Sequence, residues 1–385
     1  MRGYGRYARG LLTALLAEPS PHEFVFFVDV HTETAWSFPE GAQVVVVSTK
    51  EAPTEAATAD GRRSILDLWA MTSALARMPL DVLFYPSVYT YFPAITRARI
   101  VLGVHDIIPE LYPKLVFPSR HQRFLWQAKG WLAHRQADYI LTVSDHAKDG
   151  IVHYFGWDTD FVWVVGEAPD PVFRPNTDQF AISQALTRQG LDPDSRFIVC
   201  LGGLNPHKNM EVLFEAMTKL RRQPQFADLQ LVLVGPAESD SFTPGAATAR
   251  QIVAQSGLSE AVHFTGYLPD TEVACLLNAA QLLAMPSLEE GYGLGAVEAA
   301  ACGTPVVATK HSPLPQLLAG GGLFVDPRRP QEVTAALAEI LGDKSKRQEM
   351  GRVALSRAQE LTWQRAAGQF LELLAAIEVD VALDN

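Results

Sequence analysis

Two successive series of short apolar segments, parted by a proline-rich stretch, run through the 385-residue chain. In the first half the strand candidates are 22–30, 42–49, 81–87, 100–105, 138–144 and 161–166, with helical patterns at 5–16, 64–78, 120–136 and 145–155. The second half repeats the scheme with strands at 197–202, 229–235, 262–266, 282–286, 305–308 and 322–325. This alternation predicts α/β architecture, a parallel sheet with helices on both faces in each half. Between the halves Pro169, Pro171 and Pro175 forbid a continuing strand or helix, so 167–176 is read as the linker. The expected division is 1–170, 171–360 and a C-terminal amphipathic helix within 361–385. Ligands of open α/β sheets bind outside the carboxyl ends of the strands, so two such domains are expected to face across a cleft that holds the chemistry.

The length exceeds one ordinary domain, and 48% hydrophobic residues suffice for two cores. A net charge of −11 argues against a nucleic-acid partner, which wants a basic surface. Cys200, Cys275 and Cys302 stand isolated in apolar segments, as core residues rather than a disulfide or metal framework, which favours a reducing cytoplasm. No apolar run approaches the ~20 residues of a membrane span, and the first residues lack the apolar stretch of a secretion signal.

Chemistry concentrates in Ser287-Leu288-Glu289-Glu290-Gly291-Tyr292-Gly293-Leu294-Gly295-Ala296-Val297-Glu298, which sets two carboxylates, Glu290 and Glu298, around a glycine-rich turn. The segment before it reads as a buried strand and 296–302 as a helix of small residues. Gly291 and Gly293 allow torsions and a close ligand approach that a side chain would block, and the N–H groups opening the helix face outward. A diphosphate or a sugar hydroxyl fits there. Glu298 lies about two turns into the helix by the ~3.6-residue period, so it shares a face with the turn and can accept hydrogen bonds from a diol such as a ribose. The plainer alternative makes Glu290 a cap and Glu298 a solvated residue, and a Gly-x-Gly alone would favour it. Against that, Glu298 runs straight into the apolar stretch 299–308, where an acid needs a reason.

Lys208, in Gly202-Gly203-Leu204-Asn205-Pro206-His207-Lys208-Asn209, follows a buried strand and precedes a helix expected at 210–219. A cation at a helix N-terminus opposes the macrodipole, and a bound diphosphate would reverse that penalty. The alternative is a surface lysine snorkelling away. His105 ends a strand, which places its imidazole at the sheet edge; a lone histidine is more often structural, and Asp106 could orient it or cap a turn. Lys114, Arg120, Arg123, Lys129 and Arg135 fall between Glu110 and Asp138 without an acid, interleaved with Phe124, Trp126 and Trp131. Two readings stay open there: a helix on anionic lipid, as a peripheral membrane contact, or a solvated basic face over a tryptophan-rich buried one.

The Glu-x7-Glu pair within EGYGLGAVEAAACGTPVVAT resembles the signature of the retaining glycosyltransferases of family 4, which have the GT-B fold of two Rossmann-like domains. The likeness spans nearly the whole chain through RGYGRYARGLL, Val104-His105-Asp106, ILTVSDHAKDGIVHYFG, LGGLNPHKNMEVLFEA and VHFTGYLPDTEVACLL. Among relatives the chain is most similar to bacterial mannosyltransferases of surface polysaccharide assembly. The resemblance implies that Glu290 holds sugar hydroxyls, Glu298 the ribose, Lys208 the diphosphate, and the amides of Gly291, Tyr292, Gly293 and Leu294 the departing sugar. It implies donor contact and catalysis for His105 with Asp106, base contact for Tyr267 and Leu268, and a donor or acceptor loop at Gly3, Gly5 and Arg6. Relatives often add an arginine where Gly203 stands, which leaves Lys208 as the main cationic contact, assisted by amides around Gly203. The last helix is expected to cross back onto the first domain.

The implied reaction moves a hexose, read as mannose from GDP-mannose, from a nucleotide sugar to a glycan or lipid-linked glycan acceptor, with retention, in the cytoplasm or at the inner face of its membrane. No DxD-like metal motif is read ahead of these residues, so no metal or cofactor is expected; the cationic side chain and helix N-termini can act on the leaving group. A UDP-glucose-type donor and a GT-B-fold binding protein without turnover are the alternatives. An epimerase or a phosphorylase-like protein is a further one, though no motif points to the lysine that a phosphorylase cofactor needs. Family members carry a buried strand before the glycine loop, whereas Met1 and Arg2 stand directly before Gly3. That opening strand is therefore expected to be missing, with neighbouring strands left unpaired and either a natural start upstream or lower stability.

Overall fold

The computed structural model describes residues 3–17, 19–35, 38, 42–50, 64–235 and 245–384. The chain forms two compact units: Met1–Ile107, Phe117–Glu167 and Trp363–Asn385 make the first, Ile108–Val116 and Ala168–Thr362 the second. Residues 108–116, placed in the first domain by the sequence, thus fold with the second unit.

The first unit holds two parallel sheets. Strand β1 (Val25–Asp29) pairs with β2 (Gln43–Val47), and β3 (Val82–Tyr85), β4 (Arg99–Gly103), β5 (Tyr139–Thr142) and β6 (Val162–Val164) pair in that order. β1 and β3 belong to different sheets, and Met1 and Arg2, on which the expectation of a missing opening strand turns, lie outside the described residues. Leu83, Ile100, Leu102 and Ile140 on the strands pack with Leu75 and Ile151 into one core. Helix α1 (Gly3–Ala17) already includes the glycines expected to form a loop; it buries Tyr7, Leu11, Ala14 and Leu15, the i, i+4, i+7, i+8 stripe of an amphipathic helix. It packs on the last helix, Trp363–Asp384, which belongs to this unit. Their closest approach needs Gly10, where a Cβ would lie 2.3 Å from Trp363 Cε2. Gly10→Ala is expected to cost about 1–3 kcal/mol, read as a lowered melting temperature.

The other long helices of this unit are α2 (Ile65–Ala76), α3 (Arg120–Gln136) and α4 (Asp145–Phe155). Ser119 and Gln122 form a capping box at the start of α3, and Gly156, left-handed at φ 71°, ends α4. On α3 Trp126 packs against the core while Phe124 and Trp131 are 65% and 68% exposed, so the tryptophans do not share a buried face as the plainer reading required.

In the second unit six parallel strands run β12-β11-β10-β7-β8-β9: β7 (Phe197–Leu201), β8 (Gln230–Val234), β9 (Val262–Gly266), β10 (Leu282–Met285), β11 (Val306–Thr309) and β12 (Gly322–Val325). Every residue of β10 and β11 is buried, as in strands covered on both faces. Helix α5 (Met210–Arg221) lays Leu213, Phe214, Met217 and Leu220 against α6 (Pro330–Gly342) through Val333, Leu337 and Ile340. Burial of each large side chain contributes about 1.5–3 kcal/mol. The chain proceeds from β7 outward to β9, then returns to the other side of β7 as β10. That reversal between β7 and β10 is the topological switch point, where the loops at the carboxyl ends diverge and leave a crevice.

Candidate active site

The loop after β7 and the loop after β10 bring Lys208 and Glu290 together at this switch point. Lys208 ends a 3-10 turn, Pro206–Lys208, and its Nζ lies 2.6 Å from Glu290 Oε1. Ser287 Oγ donates to the same oxygen at 2.5 Å, and the Glu290 N–H donates to His311 O at 3.1 Å. Burial alone would raise the Glu290 carboxyl, but the Lys208 charge, hydrogen bonds from Lys208 and Ser287, and nearby His207 hold it below its usual range. Burial, and then the Lys208 charge, push the neighbouring His207 down to about 4. The site therefore presents a lysine cation beside an ionised carboxylate and a neutral imidazole.

Beyond Glu290 the chain turns through Gly293 at φ 86°, where a Cβ would meet Leu314 within 2.7 Å. The left-handed requirement falls on Gly293 and not on Gly291. Helix α7 starts at Leu294 and runs to Ala301, with Glu298 buried along it. Gly291 and Tyr292 are buried and Leu294 is half-buried. The Cys302 thiol is pushed up to about 12 by burial and then by the Glu298 charge. Gly202, at φ 117°, and half-buried Gly203 shape the β7 loop. Tyr267, 65% exposed, and buried Leu268 follow β9 on the same carboxyl edge. By strand order they stand three strands from β10, roughly 14 Å at the ~4.8 Å strand spacing.

In the first unit His105 is buried beyond β4 with both ring nitrogens facing acceptors. Nε2 lies 2.9 Å from Pro86 O, which can only accept, and Nδ1 lies 3.3 Å from Glu167 Oε1. The Tyr4 and Tyr7 rings stand edge-on at 4.8 and 4.6 Å, and Tyr4 Oη donates to Asp106 at 3.4 Å. The structure thus gathers His105, Asp106 and the start of α1, where Gly3, Gly5 and Arg6 sit in the first turns of a helix. It also spends both imidazole nitrogens inside this unit, so a sugar contact by His105 requires displacing one of them. Burial, and then the Glu167 charge, push the Tyr7 phenol well above its usual value. Ser287, His207 and Glu167 were not singled out from the sequence; the one available signal was Glu167, an acid placed directly between a buried strand and the prolines. Among the described residues no group of three or more His, Cys, Asp or Glu side chains could hold a metal ion.

Two parallel α/β units, the second with a cation and a carboxylate at its switch point, define the GT-B class. Sucrose-phosphate synthase from Thermosynechococcus elongatus superposes with a TM-score of 0.74 at 19% identity, covering 98% of this chain and 94% of that one. HepE from Anabaena, solved with UDP-glucose, gives 0.72 at 18% identity, covering 98% and 97%. The chain belongs to the glycosyltransferases of family 4 and group 1: the model for Glycosyltransferase Family 4 matches residues 1–168, and that for Glycosyl transferases group 1 matches 183–357. Curated relatives include the D-inositol 3-phosphate glycosyltransferase of Corynebacterium glutamicum, 29% identical over 240 residues, 62% of this chain and 57% of that protein. The enzyme of that name from Segniliparus rotundus is 32% identical over 296 residues, 76% and 61%. The chain thus spans 57% and 61% of the length of these two relatives, and their name is not that of the surface-polysaccharide mannosyltransferases expected from the sequence motifs.

Proposed function

We propose that the second unit binds a nucleoside diphosphate sugar and that the protein transfers its hexose, with retention, to a glycan or lipid-linked glycan. The observation that carries this is the Lys208–Glu290 pair at the switch point, 2.6 Å apart. A lysine there can take up the negative charge of a departing diphosphate, together with N–H groups at the start of α7. Glu290, held ionised, is an acceptor for sugar hydroxyls, and Glu298 one for the ribose. Positive charge comes from the chain itself, so no metal is needed. GDP-mannose is the donor that the motif likeness favours. A UDP-linked hexose is the second reading, supported by the UDP-glucose bound to the similarly folded Anabaena protein. Inositol phosphate joins the glycans as an acceptor to try, given the relatives' names. The test is release of nucleoside diphosphate from GDP-mannose, UDP-glucose and UDP-N-acetylglucosamine, with and without chelator. No release from any donor overturns the transferase reading, and loss of release in chelator overturns metal independence.

A lipid-linked acceptor fits α3. That helix has no acid, and Arg120, Phe124, Trp131 and Arg135 are all exposed, at spacings that put them on one stripe. On a chain of net charge −11 this stripe suits the anionic inner face of a membrane. No described helix is long and apolar enough to cross one. Replacing Phe124 and Trp131 together by serine is expected to lower partition onto phosphatidylglycerol vesicles roughly tenfold, measured by co-sedimentation. Equal partition of both proteins would remove α3 as the contact.

A further inference from the structure

One polar side chain joins the loops of the second unit and has no part in the donor reading above. Asn209 is the one residue other than glycine with positive φ among the described residues, at φ 56° and ψ 44°. It closes the 3-10 turn through its N–H to Pro206 O at 3.1 Å and stands directly before α5. Left-handed backbone is unfavourable for side-chain-bearing residues and least so for asparagine. An asparagine at a helix start ordinarily caps the helix, yet this one makes no cap hydrogen bond. Its Nδ2 donates instead to Pro286 O at 3.2 Å and to Pro327 O at 2.9 Å. Pro286 follows β10 and Pro327 lies just past β12, so a single amide ties the carboxyl-end loops of β7, β10 and β12. The Leu288 N–H, donating to His207 O at 2.8 Å, closes the same β7 and β10 loops from the other side. The residue preceding Asn209 is Lys208, and Glu290 lies in the β10 loop that Asn209 holds at Pro286.

We propose that Asn209 is a positioning residue for diphosphate recognition. Its left-handed backbone aims Lys208 into the crevice, and its amide locks the loops carrying Lys208 and Glu290 in one register. The proposal rests on the reading of Lys208 as the diphosphate contact. Two hydrogens on one nitrogen are required, because both partners are carbonyl oxygens that only accept. Recognition by a fixed cation is sensitive to displacement, and a shift of about 1 Å can cost two orders of magnitude.

The test is a cycle of four proteins, wild type, Asn209→Gly, Lys208→Ala and the double variant, titrated calorimetrically with GDP and UDP and with guanosine and uridine. Glycine keeps the left-handed backbone and deletes only the amide. Asn209→Gly is expected to weaken the nucleoside diphosphate on the order of tenfold, to leave the nucleoside unchanged, and to cost nothing further once Lys208 is alanine. Asn209→Asp keeps shape and backbone but sets a carboxylate against two carbonyls, so it should lose as much; it carries the same cycle should the glycine variant not fold. Unchanged diphosphate affinity, an equal loss for the nucleoside, or the same loss with and without Lys208 would each overturn the proposal. A wild type that binds neither diphosphate overturns the donor reading instead, an outcome distinct from a wild type that binds and an Asn209 variant that matches it.

Discussion

Lys208→Ala is expected to weaken nucleoside diphosphate binding by about 1.5–3 kcal/mol, the worth of a charge-assisted hydrogen bond, and to lower turnover on the order of 10²-fold. The same change leaves Glu290 buried with Ser287 and without its cation, so the fold should lose a further ~1–3 kcal/mol, short of the full value for a buried pair because the Lys208 side chain is 20% exposed. Glu290→Gln has the opposite sign on binding. It keeps a side-chain oxygen for Ser287 but frees Lys208 from a competing carboxylate, so diphosphate affinity should rise or hold while turnover falls. The two variants therefore separate leaving-group binding from sugar handling, read by calorimetry with nucleoside diphosphate and by donor turnover. Unaltered affinity in Lys208→Ala, or a Glu290→Gln protein weakened as much as Lys208→Ala, would show that the pair is a structural tie and not the donor pocket.

The two kinds of information in the chain are unequally legible. The strands of the second unit lie within a residue or two of their expected bounds, because strands buried on both faces leave continuous apolar runs such as Leu282–Met285. Local chemistry also exposed Lys208, Glu290 and Glu298, each an ionisable group where the surrounding pattern demanded none. What local pattern cannot carry is pairing across the fold. Lys208 and Glu290 are 82 residues apart, His105 and Glu167 are 62 apart, and their partnerships exist only once parallel strands bring the loops side by side. The segment 108–116 failed for the same reason: Tyr112 Oη accepts from Arg328, 216 residues away, and nothing near Tyr112 announces it. The family resemblance implied a loop at Gly3, Gly5 and Arg6, but the helix expected at 5–16 extends back to Gly3, its stripe from Tyr7 to Leu15 buried, and packing overrides the glycine penalty there.

Acid is expected to destabilise the protein in a window set chiefly by His134 and His207. Burial pushes His134 down from 6.5 to about 4; its Nδ1 accepts from Trp157 Nε1 at 2.9 Å and its ring stacks on Phe155, so the folded chain needs it neutral. Burial and the Lys208 charge do the same to His207, and burial lowers His263 as well. A histidine whose folded value lies below its unfolded one is protonated more readily in the unfolded chain, so stability is complete above pH 6.5 and falls as pH drops toward 4. Glu290, lowered from 4.5, adds its loss only below that pH. At 1.36 kcal/mol per tenfold change in proton affinity, moving from pH 7.5 to 5.0 should remove about 2 kcal/mol for each of His134 and His207. That is a large share of the roughly 5–15 kcal/mol by which a domain is stable. His134→Gln keeps an acceptor for Trp157 and removes the titration, so its urea midpoint should fall less between those two pH values than that of the wild type, and His207→Gln should behave alike. Midpoints that track the wild type at both pH values would mean that these rings admit the proton without unfolding, and that the acid sensitivity lies elsewhere.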